Sequence, residues 1–460
     1  MKNNNLWLAL LVTVNFLLVI NPIFATAPSE QNFDDIDRML DQQFKQKTAD
    51  IDSLYHAYEK AIDDAYKGVT KKIKVQWPKS VKLPTKSTWV GYSKNLQTRT
   101  IVNFEEGTLV IESKVENNNL NLAKQEINVM AEQISSSTTA SIEKLDILSQ
   151  SFKEKLGQQG IKPKHKKTAK NNILKQLLPK VEVLKVTNAK VSELALVTTI
   201  VTQKNLHPSS KVLVTTQENT VVAINSLAKP HSLVDKKTES KEEKLASSNP
   251  QIKLELIEKP HHSVLKMTVK FVNNYQKVLL ANNFDDVKRF SIKYDVPISV
   301  ILAIIETESS YNPRAISRVP AFGLMQLVPK TAGVDAHHYV YGKKKIVSPD
   351  YLFDETNNLQ LGTAYFKLLK SRYLRKIKDP RSRFYCAVSS YNTGVGNLAK
   401  TFTGQKNLTK AAKKINTMTS QQVYQFLLTN LPAEETRNYL KKIVARRAKY
   451  LHFDNAIKEI

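Results

Sequence analysis

Residues 295–313 read DVPISVILAIIETESSYNP, and how that stretch is parsed decides the fold of the carboxyl-terminal half. Asp295-Val296-Pro297 predicts a helix start, with Asp295 able to cap free backbone N–H groups and Pro297 tolerated in the first turn. Ile298, Ile301, Leu302, Ile304 and Ile305 then fall on one apolar face. At ~100° per residue, Glu308 lies about 50° from the centre of that face and Glu306 more than about 100° from it. Glu308 is therefore the carboxylate nearer the interior. Asn312-Pro313 is expected to end the helix, because Pro lacks an N–H and restricts the residue before it. A carboxyl at the end of an apolar face has a chemical use: partial desolvation disfavours the anion, and a Glu still protonated near neutrality can act as a general acid. Periodicity alone equally allows a boundary Glu paired with a surface cation, so the helix by itself does not establish a site.

Outward from this stretch, the pattern is helical almost throughout from about Phe284. The first half is mixed. Phe33 to Tyr66 carries Ile36, Leu40, Phe44, Ile51, Leu54, Tyr55, Tyr58 and Ile62 at mostly helical intervals, as one long or broken helix. The texture changes from Lys72, with breakers at Trp77-Pro78 and Leu83-Pro84, and Trp89-Val90-Gly91-Tyr92 begins a β-like region. Thr100–Phe104 and Thr108–Glu112, separated by Glu105-Glu106-Gly107, predict a hairpin. Residues 118–156 turn helical again, 161–172 form a Lys-rich loop, and short strand-like runs follow at 212–214 and 221–224. Residues 229–250 are polar and Ser-rich, as expected of an exposed loop or linker. The expectation is an α+β fold in which an α+β amino-terminal domain (28–258) precedes a mainly α domain (259–460).

Composition narrows the partners. The 460 residues hold 69 Lys plus Arg against 42 Asp plus Glu, a formal charge of +27, with 12 Gly and a single Cys. This excludes collagen, a disulfide scaffold and a Cys-rich zinc module. The positive excess calls for polyanionic surroundings. Lys2, the apolar stretch from Leu6 to Phe24 and Ala25-Thr26-Ala27 together predict a cleavable secretory signal over residues 1–27. Asn15, Asn21 and Pro22 interrupt the stretch and argue against an uncleaved spanning anchor. Export argues against a nucleic-acid partner and for a polymer of the cell envelope. Cys386 has no intrachain partner and is expected to be a small buried hydrophobe. The pairs His261-His262 and His337-His338 point apart on a regular element, so neither a metal nor a cofactor is expected. Lys343-Lys344-Lys345 and the Lys/Arg-rich stretch from Lys441 to Lys449 are solvated faces or contacts for anionic polymers.

Four short motifs occur in order in the helical half. They are Glu308-Ser309-Ser310-Tyr311-Asn312-Pro313, Gly323-Leu324-Met325-Gln326, Ser390-Tyr391-Asn392-Thr393-Gly394 and Glu435-Thr436-Arg437-Asn438-Tyr439. Each is weak alone. Together the series resembles the E-S-x-x-x-P, G-L-M-Q, A-Y-N and E-T-x-x-Y signatures of lytic murein transglycosylases with a soluble-transglycosylase, goose-lysozyme-like catalytic domain. The resemblance covers roughly Phe284 to Lys449, with Phe322–Gly333, Ser348–Tyr365 and Ile415–Tyr424 looking closest to the membrane-bound type C group. It continues more weakly through Trp89 to Val115, where Leu96-Gln97-Thr98-Arg99 and the Gly107 hairpin look like that group's amino-terminal domain.

The resemblance implies a lysozyme-like catalytic domain and a periplasmic enzyme acting on peptidoglycan glycan strands. Glu308 would be the single acid/base, with Ser309 orienting it or the substrate. Gly323 would let backbone approach the sugar, and Met325 and Gln326 would line the cleft. Tyr391 would hydrogen-bond near Glu308, Asn392 would fix the motif loop or contact an acetamido group, and Tyr439 would close the far wall. The implied reaction cleaves the β-1,4 bond between MurNAc and GlcNAc and leaves a 1,6-anhydroMurNAc end. A muramidase that activates water and a non-catalytic wall-binding scaffold are the alternatives. Two departures from the pattern stand out: Ser390 replaces Ala, and no Cys stands at the signal boundary to carry a lipid. Oligomeric state is not legible.

Overall fold

The computed structural model describes residues 30–117, 119–135, 142, 144–161, 173–179, 186, 252–259 and 262–455. The expected signal, nearly all of the Lys-rich loop, the strand-like runs at 212–214 and 221–224 and the polar linker lie outside them. No helix among the described residues is long and apolar enough to cross a membrane. Two compact units divide after Leu54. The described part of the first, residues 30–54, is helical. The second, from Tyr55, holds everything that follows.

Helix α1 (Glu30–Gln76) is continuous and passes Lys72 without a break. From Tyr55 onward it buries Tyr55, Tyr58, Ile62, Ala65, Tyr66, Val69 and Ile73, a stripe at three- and four-residue spacing that faces the core. It stops before Trp77-Pro78, because Pro78 cannot donate to the helix. Five antiparallel strands follow: β1 (Thr88–Tyr92), β2 (Thr98–Asn103), β3 (Thr108–Val115), β4 (Ile252–Lys259) and β5 (His262–Lys270), in the order β1-β2-β3-β5-β4. Gly107 turns the β2–β3 hairpin with φ +65°, and a Cβ there would meet the Tyr275 ring at 2.7 Å. Helix α2 (Leu120–Ser135) lays Ala123, Ile127, Met130 and Ile134 against the sheet, and α3 (Ile147–Gln158) and the short α4 (Leu174–Leu177) complete this half.

The sheet moves the domain boundary. A division at 258/259 falls within β4, at its last residue, and would part β5 from both of its neighbours, since Leu256 lies opposite Leu265 and Ile111 opposite Met267. Strand β5 therefore belongs to the amino-terminal half, which runs to about Lys270. Strands β3 and β5 are neighbours in space but far apart in the chain, so no local pattern announces their pairing.

The rest is helical: α5 (Tyr275–Ala281), α6 (Phe284–Tyr294), α7 (Ile298–Glu308), α8 (Val334–Tyr341), α9 (Pro349–Phe353), α10 (Glu355–Leu368), α11 (Pro380–Thr393), α12 (Val395–Thr403), α13 (Leu408–Ile415), α14 (Ser420–Asn430) and α15 (Glu434–Asn455). The α+β expectation holds, with a sheet half followed by a helical half. Helix α7 is the centre of the second half: every residue from Ile298 to Ile305 is buried, as suits a helix apolar on all sides, and α15 packs along it.

The ends of α7 differ from the reading of residues 295–313. Asp295 does not cap it. With φ 50° it is the left-handed residue that closes α6, and its carboxylate pairs with Lys367 at 2.8 Å. The cap comes from the far end of the chain, where Asp454 accepts from the Ser299 backbone N–H at 2.9 Å and from its hydroxyl at 2.5 Å. A carboxylate at that position satisfies an orphan donor and complements the helix dipole. At the other end α7 stops at Glu308, well before Pro313. Ser310 and Tyr311 then turn left-handed at φ 50° and 64°, which breaks the helix without a proline.

Candidate active site

Glu308 ends the buried helix and is itself only 5% exposed. Burial pushes its carboxyl above the ordinary range; the Lys86 ammonium and the Tyr439 hydroxyl pull it back down, and the charge of Glu435 pushes it up again. Lys86 Nζ lies 3.6 Å from the Glu308 carboxylate and 3.5 Å from that of Glu435. Glu306, two residues earlier, has different surroundings. It is held by Arg446 at 3.6 Å and Lys449 at 3.3 Å and accepts from Tyr450 Oη at 2.6 Å. The same helix thus carries one carboxylate saturated by cations and one sealed in with a single partly exposed lysine.

Ser309 is buried, and its hydroxyl donates back to the Ile305 carbonyl at 3.0 Å, so it secures the helix end that carries Glu308. The chain then reaches the second motif. Gly323 adopts φ +75°, and a Cβ there would sit 2.3 Å from the Leu352 carbonyl and 2.4 Å from Asn358 Nδ2, so the tight packing of this loop alone requires glycine. Met325 is fully buried against Gly362, and its backbone faces two partners: its N–H donates to Asn358 Oδ1 at 2.8 Å and its carbonyl accepts from Tyr391 Oη at 2.9 Å. Gln326, left-handed at φ 46°, donates to the Ala315 and Gly323 carbonyls at 3.1 and 3.0 Å.

Tyr391, near the end of α11, lies close enough to Glu308 for the carboxylate charge to raise its hydroxyl pKa, although burial is the larger cause. Tyr439, on α15, is raised for the same two reasons. Both remain neutral donors across the physiological range. Asn392 accepts from Thr436 Oγ1 at 2.7 Å and so ties α11 to α15. The structure therefore brings Glu308, Tyr391 and Tyr439 together. It links Met325 to Tyr391 through a backbone carbonyl and gives Asn392 a structural partner within the fourth motif.

Two buried polar atoms among these residues have no hydrogen-bond partner among the described residues: Tyr439 Oη and Gln326 Oε1. Tyr439 stands near enough to favour the Glu308 anion but makes no well-formed hydrogen bond to it. Buried polar atoms are rarely left unpaired, which sets these two apart from most of the core.

Sequence reasoning missed two residues. Asn358 is fully buried and staples the Gly323 loop, donating to the Phe322 and Leu352 carbonyls at 2.8 and 2.7 Å besides accepting from Met325. It heads the buried stripe Leu361, Tyr365 and Leu368 on α10, and a lone polar residue on an apolar stripe is a legible signal. Lys86 gives none: it is one cation among 69, in an irregular stretch before β1. The sheet half also buttresses the motif segment elsewhere. Phe152 stacks on Phe322 with centroids 6.0 Å apart, and Arg314 reaches Asp146 at 3.6 Å. Cys386 is buried, and burial pushes its thiol up, away from reactivity.

Known proteins bear on both halves. Residues 287–414 match the family described as Transglycosylase SLT domain, and residues 55–158 match the family described as Membrane-bound lytic murein transglycosylase C, N-terminal domain. The resemblance carried by the motifs is thus shown in each half separately. Membrane-bound lytic murein transglycosylase C of Photorhabdus laumondii is 39% identical over 191 residues, 42% of this chain and 53% of that protein. The protein of the same name from Yersinia pestis is 40% identical over 192 residues, with the same shares. The chain spans about half the length of the curated relatives it matches. Among solved structures, the 70 kDa soluble lytic transglycosylase of Escherichia coli is similar at 26% identity over 37% of this chain and 24% of that one, with a TM-score of 0.28.

Proposed function

We propose that this chain is a lytic transglycosylase of peptidoglycan that uses Glu308 alone as both acid and base. The observation that carries the reading is a carboxyl buried at the end of α7 and pushed toward its protonated form, with Tyr391 and Tyr439 beside it. Protonated Glu308 gives its proton to the glycosidic oxygen as the bond from MurNAc C1 to that oxygen breaks, and the MurNAc 2-acetamido group stabilises the positive charge at C1. Glu308, now an anion, takes the proton of the same sugar's C6 hydroxyl as O6 bonds to C1. The products are a GlcNAc 4-hydroxyl and a 1,6-anhydroMurNAc end, and no water is consumed. A nucleophile on the same sugar gains the proximity advantage of an intramolecular reaction.

The other carboxylates nearby support a single-residue mechanism. Glu306 is held by two cations and a tyrosine, and Glu435 is 74% exposed on Lys86, so neither is placed as a buried nucleophile. The leader-like first 27 residues support action in the periplasm. Peripheral attraction to anionic envelope polymers is supported by a basic concavity of about 500 Å³ between Lys67, Lys71 and Lys74 of α1 and Arg318, and salt should screen it.

The test is mass spectrometry of sacculi digested by the purified protein. Fragments lighter by one water than the hydrated form are expected, and Glu308→Gln should slow their release by about 10²–10⁴-fold, the range for losing a general acid. Hydrated reducing ends would replace the reading with a muramidase. Binding to sacculi with no cleavage by the wild type at any pH would replace it with a scaffold.

A further inference from the structure

Lys86 reaches Glu308 from the opposite half of the molecule, and its backbone is held too firmly for this to be a wandering surface side chain. The segment between α1 and β1 is pinned along its length. Arg99 holds the Ser80 hydroxyl at 2.9 Å, Tyr92 Oη donates to the Lys82 carbonyl at 2.8 Å, the Thr85 N–H donates to the Thr88 carbonyl at 2.9 Å while the Thr88 N–H donates to the Thr85 hydroxyl at 3.1 Å, and the Ser87 carbonyl accepts from the Phe104 N–H at 3.0 Å. The Lys86 carbonyl itself accepts from Asn312 Nδ2 at 3.1 Å, four residues after Glu308. Only the side chain is free to move. It is 40% exposed, with carboxylates on two sides at 3.6 and 3.5 Å.

We propose that Lys86 is a positioning residue for the proton cycle of Glu308: its ammonium holds the Glu308 carboxylate while that group is charged and moves to Glu435 when Glu308 is protonated. The inference rests on the acid/base reading of Glu308. A lone carboxyl that must first donate and then retrieve a proton makes opposite demands on its surroundings. A close guanidinium would fix the anion and remove the acid. With no cation, the buried anion left after the first proton transfer would have no countercharge. A partly solvated lysine with an alternative partner meets both demands. The charged and titratable groups facing Glu308 are Lys86 from the segment before β1, Glu435 and Tyr439 from α15, and Tyr391 from α11. Lys86 is the cation in this set, and it comes from outside the helical half.

Two variants of the full-length protein should move the pH profile in opposite directions. Activity requires protonated Glu308, so kcat/KM falls as pH rises through its pKa, on the basic limb of the profile. Lys86→Met should move that limb to higher pH and lower kcat by about tenfold or more, the loss expected when a buried anion is left without its ion-pair partner. Glu435→Gln should move it to lower pH, because Lys86 then remains on Glu308. Lys86→Arg, whose guanidinium fixes the anion, should also move the limb to lower pH and leave kcat below that of the wild type. Difference NMR titration of glutamate-labelled protein, wild type against Glu308→Gln, reads the Glu308 carboxyl directly without substrate. If wild type cuts no glycan, the functional reading fails, and the titration still decides the role of Lys86. An unchanged Glu308 titration in both folded variants, or shifts in the same direction, would overturn the proposal.

Discussion

Glu112 in the sheet half and Glu308 in the helical half are both buried, yet their partners differ in kind. Glu112 meets Arg99, itself 1% exposed, at 2.6 Å, and that guanidinium also stacks on Trp77 at 3.8 Å and binds Ser80. Every charge in that cluster is answered at contact distance. Glu308 has a lysine at 3.6 Å, a tyrosine hydroxyl without a proper bond and a second carboxylate across the lysine. A buried carboxylate clamped by a close guanidinium serves the fold, whereas one with loose partners remains able to exchange its proton. The first cluster also serves the second, because the Arg99–Ser80 contact fixes the segment that carries Lys86.

Three perturbations sharpen this contrast. Arg99→Met should have the largest effect. It leaves Glu112 buried without its countercharge, a loss of about 3–5 kcal/mol in denaturant unfolding. Converting both partners to apolar residues should recover most of that loss, and a double variant as unstable as the single one would show that the pair is not the cause. Asp454→Ala comes next. It removes the borrowed cap of α7 and should cost about 0.5–2 kcal/mol with the Glu308 pH profile nearly unmoved; a loss below about 0.3 kcal/mol, within the scatter of such measurements, would mean that Ser299 finds another partner. The smallest effect is the pH dependence contributed by Glu308. Its folded pKa is raised, so its stabilising contribution is fully present below the unfolded value of ~4.3 and is lost as pH rises through the folded one. The melting temperature of Glu308→Gln relative to wild type should therefore climb as pH rises from acid to neutral. A difference that stays flat with pH would show that burial does not raise the Glu308 carboxyl.

Much of this was readable from local pattern. The stripe along α1, the hairpin around Gly107 and the apolar helix ending in Glu308 follow from side-chain periods of 3.6 and 2 residues, which neighbouring residues alone express. Periodicity also ranked Glu308 above Glu306 for burial, and the cation cluster around Glu306 agrees with that ranking. Asp295 has the composition of a helix start, an Asp shortly before Pro, while the backbone there closes the preceding helix.

The sequence by itself determined most of the helices, the hairpin around Gly107 and which carboxylate faces inward, because those properties depend on residues a few positions apart. Tertiary structure alone decided that β5 completes the sheet, that Asp454 caps α7 and that Lys86 stands beside Glu308. Each of these joins residues well over a hundred positions apart. Hydrogen bonds and charge pairs act over a few ångströms of space, and nothing in the local alphabet records which distant segment will supply the partner.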